Sequence, residues 1–197
     1  VTLKELYDQI ARCEDCELAR HRTRVVPGEG AENAAIVFIG EAPGWHEDQQ
    51  GRPFVGPAGK FLDQLLASIG LRRKDVYICN VIKCRPPANR DPLPGEIKAC
   101  QKWLDRQIEL INPKMIVTLG RYSMSKFFPA ETIGKLHGTA RKRGGIIYYA
   151  MYHPAAALHQ QSLKKTIEED MLKIPSLLAQ AERIADEEKK PEQLSMF

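Results

Sequence analysis

The residues best suited to chemistry in this sequence fall into two groups. The first is sulfur. Cys13 and Cys16 form a Cys-x2-Cys pair, Cys84 closes NVIKC, and Cys100 lies sixteen positions further on in EIKACQKW. A Cys-x2-Cys turn directs backbone amides at its sulfurs and brings two thiolates onto one metal; a distant second pair completes a four-cysteine site. Zinc and a [4Fe–4S] cluster both accept that donor set. Zinc sites often carry two tight knuckles where this chain has one, and spacing alone does not separate the two. Cys79, inside VYICNV, reads as a packed thiol rather than a fifth ligand.

The second group combines acids, amides and rings. In GEAPGWHEDQQGRPF, Gly40 ends a strand and Glu41 stands at its mouth. Pro43 and Gly44 then turn the chain so that backbone N–H groups face outward. Phe54 closes the loop, and a flat ring facing a polar pocket can hold a nucleobase by its π-face. Asn80, near the end of YICNVIK, offers a donor and an acceptor that can read a base edge. His153 opens HPAAAL after another strand, braced by Pro154, where an imidazole can stabilise negative charge on a leaving group.

These groups are useful only if the fold brings them together. AAIVFIG, DVYICNVIK, KMIVTLG and IIYYAMYH are short β-branched or aromatic runs that read as strands. Between and around them lie helical patterns. TLKELYDQIARC places Leu3, Leu6, Tyr7 and Ile10 on one face behind a Thr2 cap; GKFLDQLLASIG, PGEIKACQKWLDRQIELI and RYSMSKFF follow. SLKKTIEEDMLKIPSLLAQAERIADEEKK reads as a helix broken at Pro175. Alternating strands and helices predict an α/β fold, a three-layer α/β/α domain around a central four-stranded, mainly parallel sheet. Ligands of such sheets bind beyond the carboxyl ends of the strands, where Glu41, Asn80 and His153 converge.

The 197 residues suffice for one core, and one domain is expected over 1–184 with a flexible tail over 185–197 around the polar DEEKKPEQ run. Hydrophobic content of 43%, charged content of 27% and a net charge of +4 describe an ordinary domain with a weak bias toward anionic partners. No stretch is long and apolar enough to span a bilayer, and no secretory h-region is evident at the N-terminus. A cytoplasmic protein is therefore expected, in a reducing compartment where metal binding outranks disulfides.

GEAPG, GRPFVGPAG, Asn80 in CNVIKCRPPANRDP, HPAAAL and the four cysteines together resemble the family-four uracil-DNA glycosylases, and the resemblance runs from the first helix through the last strand. It implies a uracil-DNA glycosylase-like fold, a [4Fe–4S] cluster on Cys13, Cys16, Cys84 and Cys100, and excision of uracil from DNA by a monomer. Phe54 would stack on uracil, Asn80 would read its N3–H and O4, and Glu47 would form the wall that excludes the C5 methyl of thymine. His153 would hydrogen-bond O2 of the departing base. Related enzymes place a water-positioning Asp where this chain has Ala42, which leaves Glu41 as the nearest carboxylate. Lys83, Arg85 and Arg90 would grip phosphates, and Leu158 would fill the gap left by the flipped base. A glycosylase for other deaminated bases and a non-catalytic DNA-binding module are the alternatives. The final QLSMF resembles the short peptide that docks bacterial repair proteins on the sliding clamp, with Gln193 polar and Leu194, Met196 and Phe197 entering an apolar groove.

Overall fold

The computed structural model describes residues 1–181, 183 and 184. The tail expected over 185–197, with Gln193, Leu194, Met196 and Phe197, lies outside them. Among the described residues, six strands form one sheet: β1 (Glu29–Gly30), β2 (Ile36–Gly40), β3 (Tyr77–Asn80), β4 (Met115–Leu119), β5 (Ala140–Arg143) and β6 (Ile146–Met151). Their order is β1-β3-β2-β4-β6-β5. The four strands expected from sequence are β3, β2, β4 and β6, and they pair in parallel. The sheet is nonetheless six-stranded and mixed, because β1 and β5 add antiparallel edges. β5 is charged (ARKR) and β1 has two residues, so neither shows the apolar run that marks a strand.

The helices are α1 (Leu3–Ala11), α2 (Trp45–Gln50), α3 (Pro57–Ser68), α4 (Pro94–Ile111), α5 (Arg121–Phe127), α6 (Ile133–Leu136), α7 (Pro154–His159), α8 (Gln161–Leu172) and α9 (Ile174–Ala179). Thr2 caps α1 in a reciprocal box with Glu5. α4 covers the whole of its sequence pattern. It starts at Pro94, whose missing N–H costs nothing there, and stops where Asn112 turns left-handed. The expected C-terminal helix breaks at Lys173, just before Pro175, which sits in the first turn of α9.

Side chains alternate along each strand, so the sheet has a core on both faces. Ile36, Phe38, Ile78 and Val117 face Leu62, Leu66, Ile167 and Ile174 from α3, α8 and α9. Val37, Ile39, Tyr77 and Cys79 face Leu6, Ile10, Leu104 and Ile111 from α1 and α4. Among the described residues, no helix is long and apolar enough to cross a membrane.

A buried polar chain runs through the second core. Lys83 Nζ donates to Asn80 O (2.8 Å) and Gln107 Oε1 (2.6 Å); Gln107 Nε2 donates to Tyr77 Oη (2.8 Å), which lies 2.6 Å from Tyr7 Oη. Lys83 is 1% exposed. The expectation that it grips phosphate is therefore corrected: its ammonium is an interior strut beneath Asn80, since a buried cation must find partners.

Candidate active site and cysteine cavity

A solvent-open cleft of about 850 Å³ lies at the carboxyl edge of the sheet, and its walls include Ala42, Glu47, Phe54, Asn80, Asn89, His153 and Leu158. Three loops converge there. The first follows β2. Gly40 must be glycine, because a Cβ would lie 2.5 Å from Asn80 Oδ1 and 2.6 Å from the Phe54 ring. This packs the base-reading candidate against the stacking candidate.

Glu47 fastens that loop. Its Oε1 accepts from the backbone N–H groups of Val55 and Gly56 (both 3.0 Å), and Oε2 accepts from Gly44 N (3.1 Å). Asp48, buried on the other side of α2, accepts from Thr23 N (2.8 Å) and Arg24 N (3.3 Å). Phe54 adopts a positive φ of 51°, uncommon for a non-glycine residue. Arg73 holds it there by donating to the Phe54 carbonyl (2.9 Å) and the Pro53 carbonyl while pairing with Glu29 and Asp63. Gly59 lets α3 approach, since a Cβ there would overlap Phe54 O.

Asn80 is 2% exposed, and its Oδ1 has no hydrogen-bond partner among the described residues. An unpaired buried acceptor costs about 1–3 kcal/mol, so a donor in the cleft would be rewarded by that amount. His153 stacks on Phe54, ring centroids 5.5 Å apart. Its Nδ1 accepts from Ala155 N (3.1 Å) at the start of α7. Burial lowers its pKa to about 4, against a smaller upward pull from Glu47. The ring is therefore neutral near pH 7, and with Nδ1 accepting, its proton resides on Nε2.

Other expected residues are placed differently. Glu41 does not line the cleft; it lies toward Asp91 and Arg121, and burial followed by repulsion from Asp91 raises its carboxyl pKa. Arg90 is a clamp on Glu96, with Nη–Oε distances of 2.6 and 2.9 Å, so its guanidinium is committed within the protein. Arg85 donates from Nε to Asn89 Oδ1 (2.6 Å). Leu158 is exposed on the cleft wall rather than packed in the core. Sequence reasoning missed Asn89, Asp48 and Arg73. Asn89 and Ala88 both have φ of 54°, a strained tip between prolines that presents Asn89 to the cleft. The PPANRDP composition was its available signal.

Cys13, Cys16, Cys84 and Cys100 line a second, much smaller cavity between α1, α4 and the loop after β3. All four are free thiols, and Cys79 is buried away from them in the sheet. Arg22 Nη1 lies 3.2 Å from Cys84 Sγ, and Trp103 Nε1 lies 3.4 Å from Cys13 Sγ. Burial pushes the Cys100 thiol up to about 12, so its thiolate requires a nearby positive charge. Among the described residues, no group is disposed to hold a single metal ion. Tetrahedral zinc at about 2.3 Å per bond draws its sulfurs close together, whereas a cluster needs internal space. The four thiols lining one cavity, met by two N–H donors, supply the donor set that either group requires.

The sequence model of the uracil DNA glycosylase superfamily matches residues 27–173. A type-4 uracil-DNA glycosylase of Sulfurisphaera tokodaii is 48% identical over 186 residues, spanning 89% of this chain and 84% of the relative. Type-4 uracil-DNA glycosylases of Archaeoglobus fulgidus (46% identical, 89% of this chain and 93% of the relative) and Thermotoga maritima (45%, 87% and 92%) are similar over comparable spans. The chain belongs to the uracil DNA glycosylase superfamily and, within it, to the type-4 family.

Proposed function

We propose that this protein is a uracil-DNA glycosylase: it takes a flipped uridine into the cleft and hydrolyses the N-glycosidic bond, leaving an abasic site for base excision repair. The observation that carries the substrate reading is the orphaned Asn80 Oδ1. Uracil presents N3–H there as a donor, whereas cytosine presents an acceptor at N3 and leaves the buried oxygen unpaired. Phe54, fixed by Arg73, supplies the stacking face. Glu47 forms the wall toward C5, and three backbone N–H groups keep its carboxylate from swinging aside to admit a methyl group.

When the glycosidic bond breaks, its electron pair passes into the uracil ring, with charge on O2, and the sugar becomes oxocarbenium-like. Neutral His153 donates Nε2–H toward O2 and stabilises that anion without having to transfer a proton. Water then adds to C1′ and loses a proton to solvent. Ala42 offers no side-chain acceptor for that water, and Glu41 faces Asp91 and Arg121; the Asn89 amide in the cleft wall is the group we assign to orient it. Glu41 acts as a negative charge near the strand mouth rather than on the reacting atoms. Arg85 contacts the phosphates near the cleft, and Leu158 enters the space vacated by the base.

Cys13, Cys16, Cys84 and Cys100 would hold a [4Fe–4S] cluster, which supplies a covalent cross-link and no step of the reaction. Residues 1–184 act as one monomeric domain. The tail beyond it, through Gln193, Leu194, Met196 and Phe197, recruits the protein to a sliding clamp, a reading supported by its sequence alone. Deleting the last five residues should abolish clamp binding and leave excision from short oligonucleotides intact.

The direct test is incubation with otherwise identical oligonucleotides carrying uracil, hypoxanthine, thymine or cytosine, single- and double-stranded, followed by alkaline cleavage. Strand scission at uracil alone is expected. Scission mainly at hypoxanthine would redirect the substrate assignment, and binding without scission would reject the enzyme.

A further inference from the structure

We propose that Trp45 is a second base platform, which stacks the nucleobase next to the excised uracil when the DNA strand is unpaired. The inference rests on the glycosylase reading and extends it to the neighbouring nucleotide. Trp45 is the first residue of α2, and the residue is 52% exposed. It lines the same cleft as Phe54, Asn80 and His153. Leu158, also 52% exposed, is the other large exposed apolar residue among the described residues that lines this cleft. A tryptophan carries more apolar surface than any other side chain, and nothing in the core requires one at this position.

The ring is also held on a fixed backbone. Glu47 ties the turn before α2 to the Val55–Gly56 segment, and Asp48 ties α2 to Thr23 and Arg24. His46 meets the indole perpendicularly, with centroids 5.1 Å apart, and no aromatic ring among the described residues stacks on it. An exposed, preorganised indole at the mouth of a base pocket suits another nucleobase, because every base has a π-face and stacking is sequence-tolerant. A protein partner seated on Trp45 would obstruct the cleft that the substrate must enter. In duplex DNA the neighbouring base is engaged by its own stack and pair, so the contact favours single strands.

The test uses single-stranded oligonucleotides with one uracil, in which the base on either side is intact or replaced by an abasic tetrahydrofuran. Single-turnover excision is measured as protein concentration is varied. With the parent, removal of one particular neighbour should raise the half-saturating concentration about 5- to 150-fold, the range of stacking on an aromatic ring. With Trp45→Ala the same removal should change it less than about twofold, and Trp45→Phe should restore most of the penalty. Equal penalties in the parent and Trp45→Ala, or no penalty in the parent, would overturn the inference while leaving excision established. A parent that releases no uracil from the intact strand would overturn the glycosylase reading and this inference with it.

Discussion

His153 shows how one residue's surroundings select its chemistry. A solvated imidazole would be partly cationic near neutrality, but burial keeps this one neutral, and the Ala155 amide places its proton on Nε2. Replacement by Ala should lower the single-turnover excision rate by about 10²–10³-fold, the effect of losing one preorganised donor to a developing oxyanion, with DNA affinity largely kept. The same burial has a cost in acid. Unfolded histidine binds its proton near 6.5 and the native ring only near 4, so the unfolded state gains protons first and stability falls as pH drops through that window. Relative to His153→Asn, the parent should lose up to about 3 kcal/mol between pH 7 and 4, read from urea midpoints. Asn80→Asp should shift preference toward cytosine, whose N4 amine can donate to the new carboxyl group; an unchanged uracil-to-cytosine rate ratio would remove Asn80 as the reader. These side chains were legible as types at strand ends. Their directions were not. Lys83 sits among basic residues in sequence, yet the twist of the chain after β3 sends it inward to Gln107 while Arg85 stays outside.

At the scale of elements, the cleft depends on a loop that its own sequence could not fix. Phe54 holds an unfavourable backbone conformation because Arg73, nineteen residues away, caps its carbonyl and Gly59 admits the close approach. Arg73→Met would leave Glu29 and Asp63 without this partner and release the Pro53–Phe54 carbonyls. The expected loss is roughly 2–4 kcal/mol of stability by urea denaturation, together with a higher half-saturating substrate concentration. Retained stability and affinity would show that Phe54 is held by packing alone. Elements with local signals were readable: α4 has proline and Glu96 at its start and Asn112 at its end. The β5–β6 hairpin had only the Gly144–Gly145 turn, with φ of 57° and 80°, to announce it, because its first strand is charged. Arg73 carries no local mark; its partners come from β1, α3 and the Phe54 loop.

Across the whole molecule, the cysteine cavity and the cleft share one loop. Asn80 ends β3, and Lys83, Cys84, Arg85 and Asn89 follow it, with the sulfur facing α1 and α4 and both asparagines facing the cleft. A cluster bound to all four cysteines would join α1, this loop and α4, closing a chain segment of more than sixty residues between Cys16 and Cys84. Cross-links over long segments stabilise chiefly by restricting the unfolded chain, typically by about 2–4 kcal/mol. In a chain of this size that is a shift of about 5–15 °C in Tm. Cys100→Ala should therefore lose most of its iron and the broad visible absorbance of the parent, melt lower by that margin, and bind uracil-containing DNA more weakly because the asparagine-bearing loop is no longer anchored. Cys79→Ala removes a sulfur of the same sheet core without touching the cavity, so its iron content should match the parent even if some stability is lost to the smaller side chain. Iron analysis and thermal melts on the two variants separate ligation from packing. Stoichiometric zinc and no iron in anaerobically prepared parent protein, or equal iron loss in both variants, would reject this ligand assignment.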